Sequence, residues 1–251
     1  NLCSKILKII GPITKYHAGW IGYNMPRNYC NITPDKIILW GEYWREYLIN
    51  ISNKYSYNNI MIGGHLNKQI TYEEKFFSNK DEINTSFQKK LKFLLPYEFL
   101  ADNSEISKFL EKLISYNIEI TIKLRPDSDI DVDPLSYSQI VIDNCNFVTD
   151  LKDNEIEKFD IVMFTQSIYA LELMRFGVNL WFLETSFNFL EQIAENKFAH
   201  YIRLNELDGI IREKNRFKKY LTTLYTFKDY KHLFSDEKLD NTIKGVLSDY
   251  E

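Results

Sequence analysis

The chain has 251 residues, of which 45% are hydrophobic and 26% charged, and its formal net charge is −4. This length accommodates one large domain or two small ones, each able to bury a hydrophobic core. The charge gives no electrostatic signature of nucleic-acid binding, and no apolar run reaches the roughly 18 residues of a membrane span.

The glycines exclude two common classes of nucleotide-binding protein. None of the nine glycines lies between Gly64 and Gly177, and the patterns G-x-G-x-x-G and G-x-x-x-x-G-K-[ST] are absent. A dehydrogenase-type dinucleotide site and a P-loop are built on those patterns. Any phosphate site in this chain is therefore expected to lack a glycine-rich loop.

The three cysteines, Cys3, Cys30 and Cys145, are odd in number and widely spaced. This usage is typical of a reduced, intracellular protein, and we expect a cytoplasmic location. The sequence begins at Asn1 rather than Met and shows no signal peptide, so we expect it to be a piece of a longer protein.

Strand and helix patterns alternate along the chain. In the first part, apolar runs at 36–40 and 59–62 predict buried strands, and residues 42–51 predict a helix between them. The polar, weakly periodic residues 67–85 are the best candidate for a domain boundary.

The same alternation continues with greater regularity after this segment. Apolar runs predict strands at residues 92–96, 118–124, 146–149, 160–164, 179–183 and 199–202. Amphipathic or polar segments predict helices at residues 104–116, 153–159, 167–176 and 187–195, with Ser104 as N-cap of the first and Gly177 ending the third. From Glu206 onward the sequence is charged and helical.

These patterns predict an α/β fold, a Rossmann-like parallel sheet with helices on both faces and a helical C-terminal tail. The predicted domains are residues 1–85, 86–205 and 206–251. Because ligands of such folds bind outside the carboxyl ends of the strands, the residues that follow each strand are the candidates for a site.

The most distinctive strand end is Thr165-Gln166-Ser167, which joins a buried strand directly to a helix. Free N–H groups and the dipole at the start of a helix, together with the two hydroxyls, form an anion site that needs no glycine loop. The alternative is that Thr165 or Ser167 is only a helix N-cap.

Arg125 and Glu172 are further candidates near that turn. Arg125 ends a strand before Pro126, and its guanidinium suits a phosphate, although it could instead pair with the acidic run 127–133. Glu172 lies in an otherwise apolar stretch of the helix and needs a partner there, unless its helix position is exposed.

The acidic run and the histidines do not predict a metal site. The run has Val132 where an EF-hand has glycine and Ser138 where it has an acidic ligand, so a solvated acidic loop is favoured. The histidines, which lack the spacing of zinc ligands, are His17, His65, His200 and His232. His17, close to Gly19, could act as a general base or phosphate contact, or be an incidental loop residue.

Taken together, these features resemble one family. Residues 160–177 (DIVMFTQSIYALELMRFG) are similar to the nucleotide-sugar-binding segment of GT-B fold glycosyltransferases, where a strand, a Thr-Ser-Ser-like turn, a helix with a Glu, and a Gly follow one another. The resemblance implies that Thr165 and Ser167 hold the donor phosphates and that Glu172 holds the ribose. Gln166 stands where Ser is more usual and is included in the expected site.

Two more parts of the chain carry the resemblance. Residues 120–126 (ITIKLRP) resemble the strand that ends in His-Pro in bacterial capsule and lipopolysaccharide transferases, with Arg125 in place of the His. The upstream part resembles the end of the first domain of surface-polysaccharide and glycerophosphate transferases. This resemblance rests on a loop with His17, followed by strands that end in Trp-Gly at 40–41 and Ile-Gly at 62–63. The chain would then contain the end of an acceptor domain and a whole donor domain.

The function implied is transfer of a sugar, hexosyl or sialyl in type, from a nucleotide-sugar donor to a surface-polysaccharide or glycolipid acceptor. The resemblance implies no metal or other cofactor, with Arg125 balancing the phosphate charge and His17 as the candidate base. The alternatives are a nucleotide-sugar epimerase of the same fold and an inactive domain that binds nucleotide or sugar. No nucleic-acid partner is expected, and the basic stretch 212–219 leaves open either contact with the inner face of the membrane or a solvated helix.

Overall fold

The computed structural model describes residues 7–9, 36–51, 56–58, 60–63, 90–98, 102–186, 188, 190–236 and 241–242. In chain order the elements are β1 (Leu7–Ile9), β2 (Lys36–Leu39), α1 (Glu42–Ile51), β3 (Ile60–Ile62), β4 (Lys92–Pro96), α2 (Asn103–Ser115), β5 (Glu119–Lys123), α3 (Gln139–Asn144), β6 (Asn146–Val148), α4 (Asp153–Ile156), β7 (Ile161–Phe164), α5 (Ile168–Glu172), β8 (Asn179–Leu183), α6 (Glu191–Glu195), β9 (His200–Ile202), α7 (Leu207–Arg212), α8 (Lys214–Tyr220) and α9 (Phe227–Leu233). One-turn 3-10 helices lie at Asp133–Ser136 and Leu173–Phe176.

The chain divides into two compact units. The first comprises Asn1–Tyr72 and Lys228–Glu251, and the second comprises Glu73–Phe227. Helices α7 and α8, which the sequence groups with a C-terminal tail, belong to the second unit. The domain boundaries after residues 85 and 205 remain predictions from the sequence.

The first unit contains a parallel sheet in the order β1-β2-β3, with α1 connecting β2 to β3. The end of α9 packs on its core. Trp44 is fully buried there, and its Nε1 donates to the Leu233 carbonyl oxygen at 2.9 Å. The Ser235 N–H donates to the Trp40 carbonyl oxygen at 2.8 Å. A Cβ atom on Gly41 would overlap the Leu233 backbone, so this close approach requires glycine.

The second unit is built on a six-stranded sheet in the order β6-β5-β4-β7-β8-β9, counted over the described residues. Every neighbouring pair is parallel, with Leu94 of β4 opposite Thr121 of β5 and Val162 of β7. The chain runs outward from β4 to β6, returns to the middle at β7 and then runs outward to β9. The reversal between β4 and β7 is the topological switch point, where ligands of open α/β sheets bind.

The central strands are buried on both faces. All residues of β7 and β8 are buried. The rings of Phe93 and Trp181 pack edge to face, with 5.2 Å between their centroids. Such solid apolar strands are typical of a parallel sheet covered by helices on both sides. The prediction of a Rossmann-like parallel sheet with helices on both faces is confirmed.

Helix ends agree in part with the sequence patterns. Gly177 adopts φ 59° and ends the 3-10 turn, as predicted. The prediction of Ser104 as an N-cap is wrong, because α2 begins one residue earlier and Asp102 accepts a hydrogen bond from the Ser104 N–H. Among the helices of the described ranges, none is both long and apolar enough to cross a membrane.

Candidate functional site

Two strand ends meet at the switch point. Tyr97 and Glu98 follow β4, and the turn Thr165–Ser167 follows β7, which is the neighbour of β4 in the sheet. The carboxyl ends of parallel strands lie at one edge of a sheet, so these residues line the edge where a ligand is expected.

The Glu98 carboxyl group occupies the inside of the turn. Its Oε1 accepts the N–H groups of Thr165 at 3.2 Å and Ser167 at 3.3 Å. Its Oε2 accepts the Gln166 N–H at 2.8 Å and the Thr165 hydroxyl at 3.0 Å. Glu98 is only 1% exposed, so an internal carboxyl group holds the backbone donors that the sequence pattern suggests for a phosphate.

The protonation of Glu98 depends on two opposing effects. Burial raises the pKa of its carboxyl group to about 8, although the hydrogen bonds from Gln166, Thr165 and Ser167 lower it. Burial therefore favours the protonated, neutral form more than in a solvent-exposed glutamate. In that form the carboxyl group can donate to the Thr165 hydroxyl oxygen, since a hydroxyl both donates and accepts.

The helix after the turn is shorter than predicted. The predicted helix at 167–176 is α5, five residues long, followed by the 3-10 turn Leu173–Phe176. A helix of this length has a small dipole, so it adds little attraction for an anion. Ser167 is the N-cap residue by position, but its side chain makes no cap hydrogen bond.

Two buried polar atoms near the turn have no hydrogen-bond partner within the described ranges. They are Nε2 of Gln166 and the hydroxyl oxygen of Tyr137, whose residue is 4% exposed. Burial raises the pKa of Tyr137, and the nearby Glu98 and Tyr97 raise it further. Unpaired buried polar atoms cost free energy, so a ligand or water that reaches Gln166 would be bound favourably.

Two cations lie at the end of β5. The Arg125 side chain is 54% exposed and its Nε lies 3.3 Å from Asp127 Oδ1, so the predicted alternative of an ion pair with the acidic run is present. Such an exposed pair contributes little free energy and can be exchanged for a ligand phosphate. Lys123 was not predicted, and its Nζ lies 5.0 Å from the centre of the Tyr169 ring. This contact brings the end of β5 close to the first turn of α5.

Glu172 is half-buried at the end of α5. Burial raises the pKa of Tyr169 to about 12, and the charge of Glu172 raises it further, which indicates that the carboxylate lies near the Tyr169 ring. Glu172 ends the helix that Ser167 begins, about one and a half turns further along. Its predicted role with a ribose stays a prediction.

A second carboxylate holds a neighbouring strand-end loop. Glu105 Oε2 accepts the N–H of Ser186 at 2.7 Å and its hydroxyl at 2.9 Å, and this loop follows β8. Ser186 is exposed and Glu105 is partly exposed, whereas Glu98 is buried. Glu105 is therefore a useful reference carboxylate for experiments on Glu98.

The predicted catalytic base, His17, lies outside the described residues, so its role also stays a prediction. Over the part of the chain that the structure covers, no group of three or more His, Cys, Asp or Glu side chains is arranged to hold a metal ion.

No protein-family model and no curated protein sequence matches the chain. Solved structures do match. A protein described as a UDP-N-acetylglucosamine 2-epimerase from Listeria monocytogenes has a TM-score of 0.57 at 12% identity, over 98% of this chain and 67% of that one. A glycosyltransferase from Rickettsia africae ESF-5 has a TM-score of 0.52 at 10% identity, over 97% of this chain and 69% of that one.

A third similar structure is the UDP-GlcNAc 2-epimerase of Methanocaldococcus jannaschii in complex with UDP-GlcNAc and UDP. Its TM-score is 0.53 at 12% identity, over 88% of this chain and 62% of that one. At these identities the likeness establishes the fold alone. The chain has the GT-B-like fold, as the resemblance of its sequence motifs predicts.

Proposed function

We propose that the chain is the donor-binding part of a glycosyltransferase that moves a sugar from a nucleotide-sugar donor to a surface-polysaccharide or glycolipid acceptor. The observation that carries the proposal is the switch point between β4 and β7, beside which lie the Ser167 hydroxyl, which makes no cap bond, and the unpaired side-chain Nε2 of Gln166. The fold is shared with the Rickettsia africae glycosyltransferase and with an epimerase whose crystals contain UDP-GlcNAc and UDP.

The donor phosphates have three proposed side-chain contacts, the Ser167 hydroxyl, the Arg125 guanidinium and the Gln166 amide, whose buried Nε2 would have to rotate outward to reach them. Thr165 gives its N–H and hydroxyl to Glu98, so we assign its part in donor binding to the shape of the turn. Lys123 adds a second cation at the same edge. Fixed cations and hydrogen-bond donors stabilise the charge that develops on a leaving phosphate.

The other roles follow the resemblance. Glu172 would bind the ribose, and His17 would take the proton of the acceptor hydroxyl. The proposed step uses no metal or other cofactor. We assign the reaction to the cytoplasm, and contact of the basic residues of α8 with the inner face of the membrane is the open alternative to their solvation.

A nucleotide-sugar epimerase is the second candidate. The Listeria monocytogenes and Methanocaldococcus jannaschii structures favour retaining it, because both are described as epimerases and both share this fold. An inactive domain that only binds nucleotide or sugar is the third. All three share the donor-phosphate contacts, so a binding experiment tests what they have in common.

Nucleotide binding should raise the melting temperature of the wild-type protein. Saturation at about 100 times the Kd stabilises a folded protein by about 2.7 kcal/mol, which is a shift of several degrees. The probes are UDP, GDP and CMP, measured by thermal unfolding. We expect the shift to be lost or strongly reduced in Arg125→Ala and Ser167→Ala, which remove a cation and a hydroxyl from the turn region.

The matched controls are Arg212→Ala and Ser115→Ala, which remove an exposed arginine and an exposed serine from α7 and α2 of the same unit. They should shift as the wild type does. An unchanged melting temperature with all three nucleotides would contradict the proposal. Product analysis with a panel of nucleotide sugars then separates transfer, epimerisation and binding without turnover.

A further inference from the structure

Glu98 is placed where a substrate-contacting residue is expected, yet its surroundings exclude direct contact. It follows β4 at the switch point, but it is 1% exposed and both carboxyl oxygens already accept hydrogen bonds. A ligand could reach the carboxyl group only if the turn opened. Any effect of Glu98 on ligand binding must therefore pass through the turn that it holds.

Three consecutive N–H groups, those of Thr165, Gln166 and Ser167, point to this one carboxyl group. The Thr165 N–H is buried and the other two are part-buried, so leaving them unpaired would cost free energy. Glu98 therefore stabilises the shape of the turn. The side chains of Gln166 and Ser167 extend from a backbone that Glu98 orders.

We propose that Glu98 is a positioning residue for the donor site. Its carboxyl group holds the turn Thr165–Ser167 from the inside and thereby sets the positions from which the Ser167 hydroxyl and, after rotation of its buried amide, the Gln166 side chain reach the donor phosphate. This inference deepens the proposed function and rests on it for the identity of the ligand. In this arrangement the backbone N–H donors bind Glu98, and the side-chain donors bind the phosphate.

Charge makes this role depend on pH. A neutral Glu98 supports the turn without repelling a phosphate, whereas an ionised Glu98 places a negative charge in a poorly solvated position behind it. Donor binding should weaken as the pH rises through the pKa of Glu98, which burial raises to about 8.

The titratable neighbours of Glu98 also bear on this pH dependence. Tyr137 and the adjacent Tyr97 are near it, and Cys145 is near Tyr137. Burial raises the pKa of Tyr137, and that of Cys145 to about 12, so neither changes charge in this range. The first turn of α5 carries no acidic or basic residue. Burial also lowers the pKa of the Lys123 ammonium group. Variants of Glu98 therefore serve to separate the titration of Glu98 from that of Lys123.

The test measures the Kd of UDP, GDP and CMP by calorimetry from about pH 7.5 to about pH 9.5. The wild type should bind the tightest of the three about tenfold more weakly at the upper pH, as expected for one buried charge near a phosphate. Glu98→Gln, which is neutral and of the same shape, should show little of this change. Glu105→Gln, a control at a partly exposed carboxylate of α2 that binds the loop after β8, should keep the wild-type pH dependence.

A second measurement does not depend on the ligand. The amide exchange rates of Thr165, Gln166 and Ser167, measured by NMR, should rise by about tenfold or more in Glu98→Ala relative to the wild type. Glu98→Gln should give an intermediate increase, since its amide oxygen still accepts but its NH₂ group faces a donor. Thr165→Val removes only the hydroxyl donor and provides a milder variant if Glu98→Ala does not fold.

The outcomes separate the two proposals. A wild-type pH dependence that persists in Glu98→Gln, or unchanged amide exchange and nucleotide binding in Glu98→Ala, would overturn the positioning role. If the wild type binds none of the nucleotides, the proposed function fails. In that case faster exchange in Glu98→Ala still supports Glu98 as the residue that holds the turn, and unchanged exchange rejects it.

Discussion

Replacing Trp181 with alanine is expected to lower the free energy of unfolding of the second unit by about 3–5 kcal/mol. Trp181 is fully buried in β8, and its ring contacts those of Phe93, Phe217 and Tyr220. Its Nε1 also donates to the Tyr220 carbonyl oxygen at 2.8 Å, which ties the end of α8 to the sheet. The substitution removes this bond and leaves a cavity among large side chains. Urea unfolding followed by circular dichroism measures the change.

Two further substitutions serve as comparisons for Trp181→Ala. Trp181→Phe keeps a ring but loses the hydrogen bond, so its cost should lie between those of the wild type and the alanine variant. Leu224→Ala changes an exposed apolar residue of the same unit and should stay within about 0.5 kcal/mol of the wild type. A loss below about 1 kcal/mol for Trp181→Ala would contradict the described packing of β8.

The stability of the second unit is expected to fall as the pH rises from about 5 to about 8. Burial raises the pKa of Glu98 from 4.5 to about 8, so in this range the folded protein holds a proton that the unfolded chain has released. The free energy of unfolding decreases with pH whenever the folded state binds more protons, and it levels off above the folded pKa. The expected loss is a few kcal/mol. Urea unfolding at a series of pH values measures it.

Glu98→Gln should remove most of this pH dependence, because the amide does not titrate. Glu105→Gln should retain it, since Glu105 accepts its hydrogen bonds from Ser186 at an exposed position. If wild type and Glu98→Gln show parallel pH profiles, the raised pKa of Glu98 is wrong. A profile that rises from pH 5 to pH 8 in the wild type alone would point to an ionised Glu98 stabilised by its hydrogen bonds.

Much of the fold could be predicted because its strands are continuous apolar runs. The runs at 160–164 and 179–183 correspond to β7 and β8, whose residues are all buried. The pattern could not give the order of strands, which depends on contacts between distant segments. It also missed α3, which has only six residues, and it extended one helix through Leu173–Phe176, where the chain tightens into a 3-10 turn before Gly177.

The candidate site contains a residue that the sequence patterns did not single out. The turn at Thr165–Ser167 was identified from its hydroxyls and its position after a strand. Its partner Glu98 was missed as a site residue because 67 residues separate it from Thr165, and periodicity carries no information about such pairs. The available signal was an acidic residue directly after the apolar strand 92–96, at an edge where buried carboxyl groups need partners.

Hydrogen–deuterium exchange with and without bound nucleotide tests the central claim most directly. The claim is that the phosphates of a nucleotide sugar bind at the switch point, between the end of β5 and the turn that begins α5. With UDP, GDP or CMP present at saturation, we expect slower exchange in peptides that cover residues 123–126 and 165–172. Slower exchange confined to other segments of the second unit, with these two unchanged, would contradict the claim.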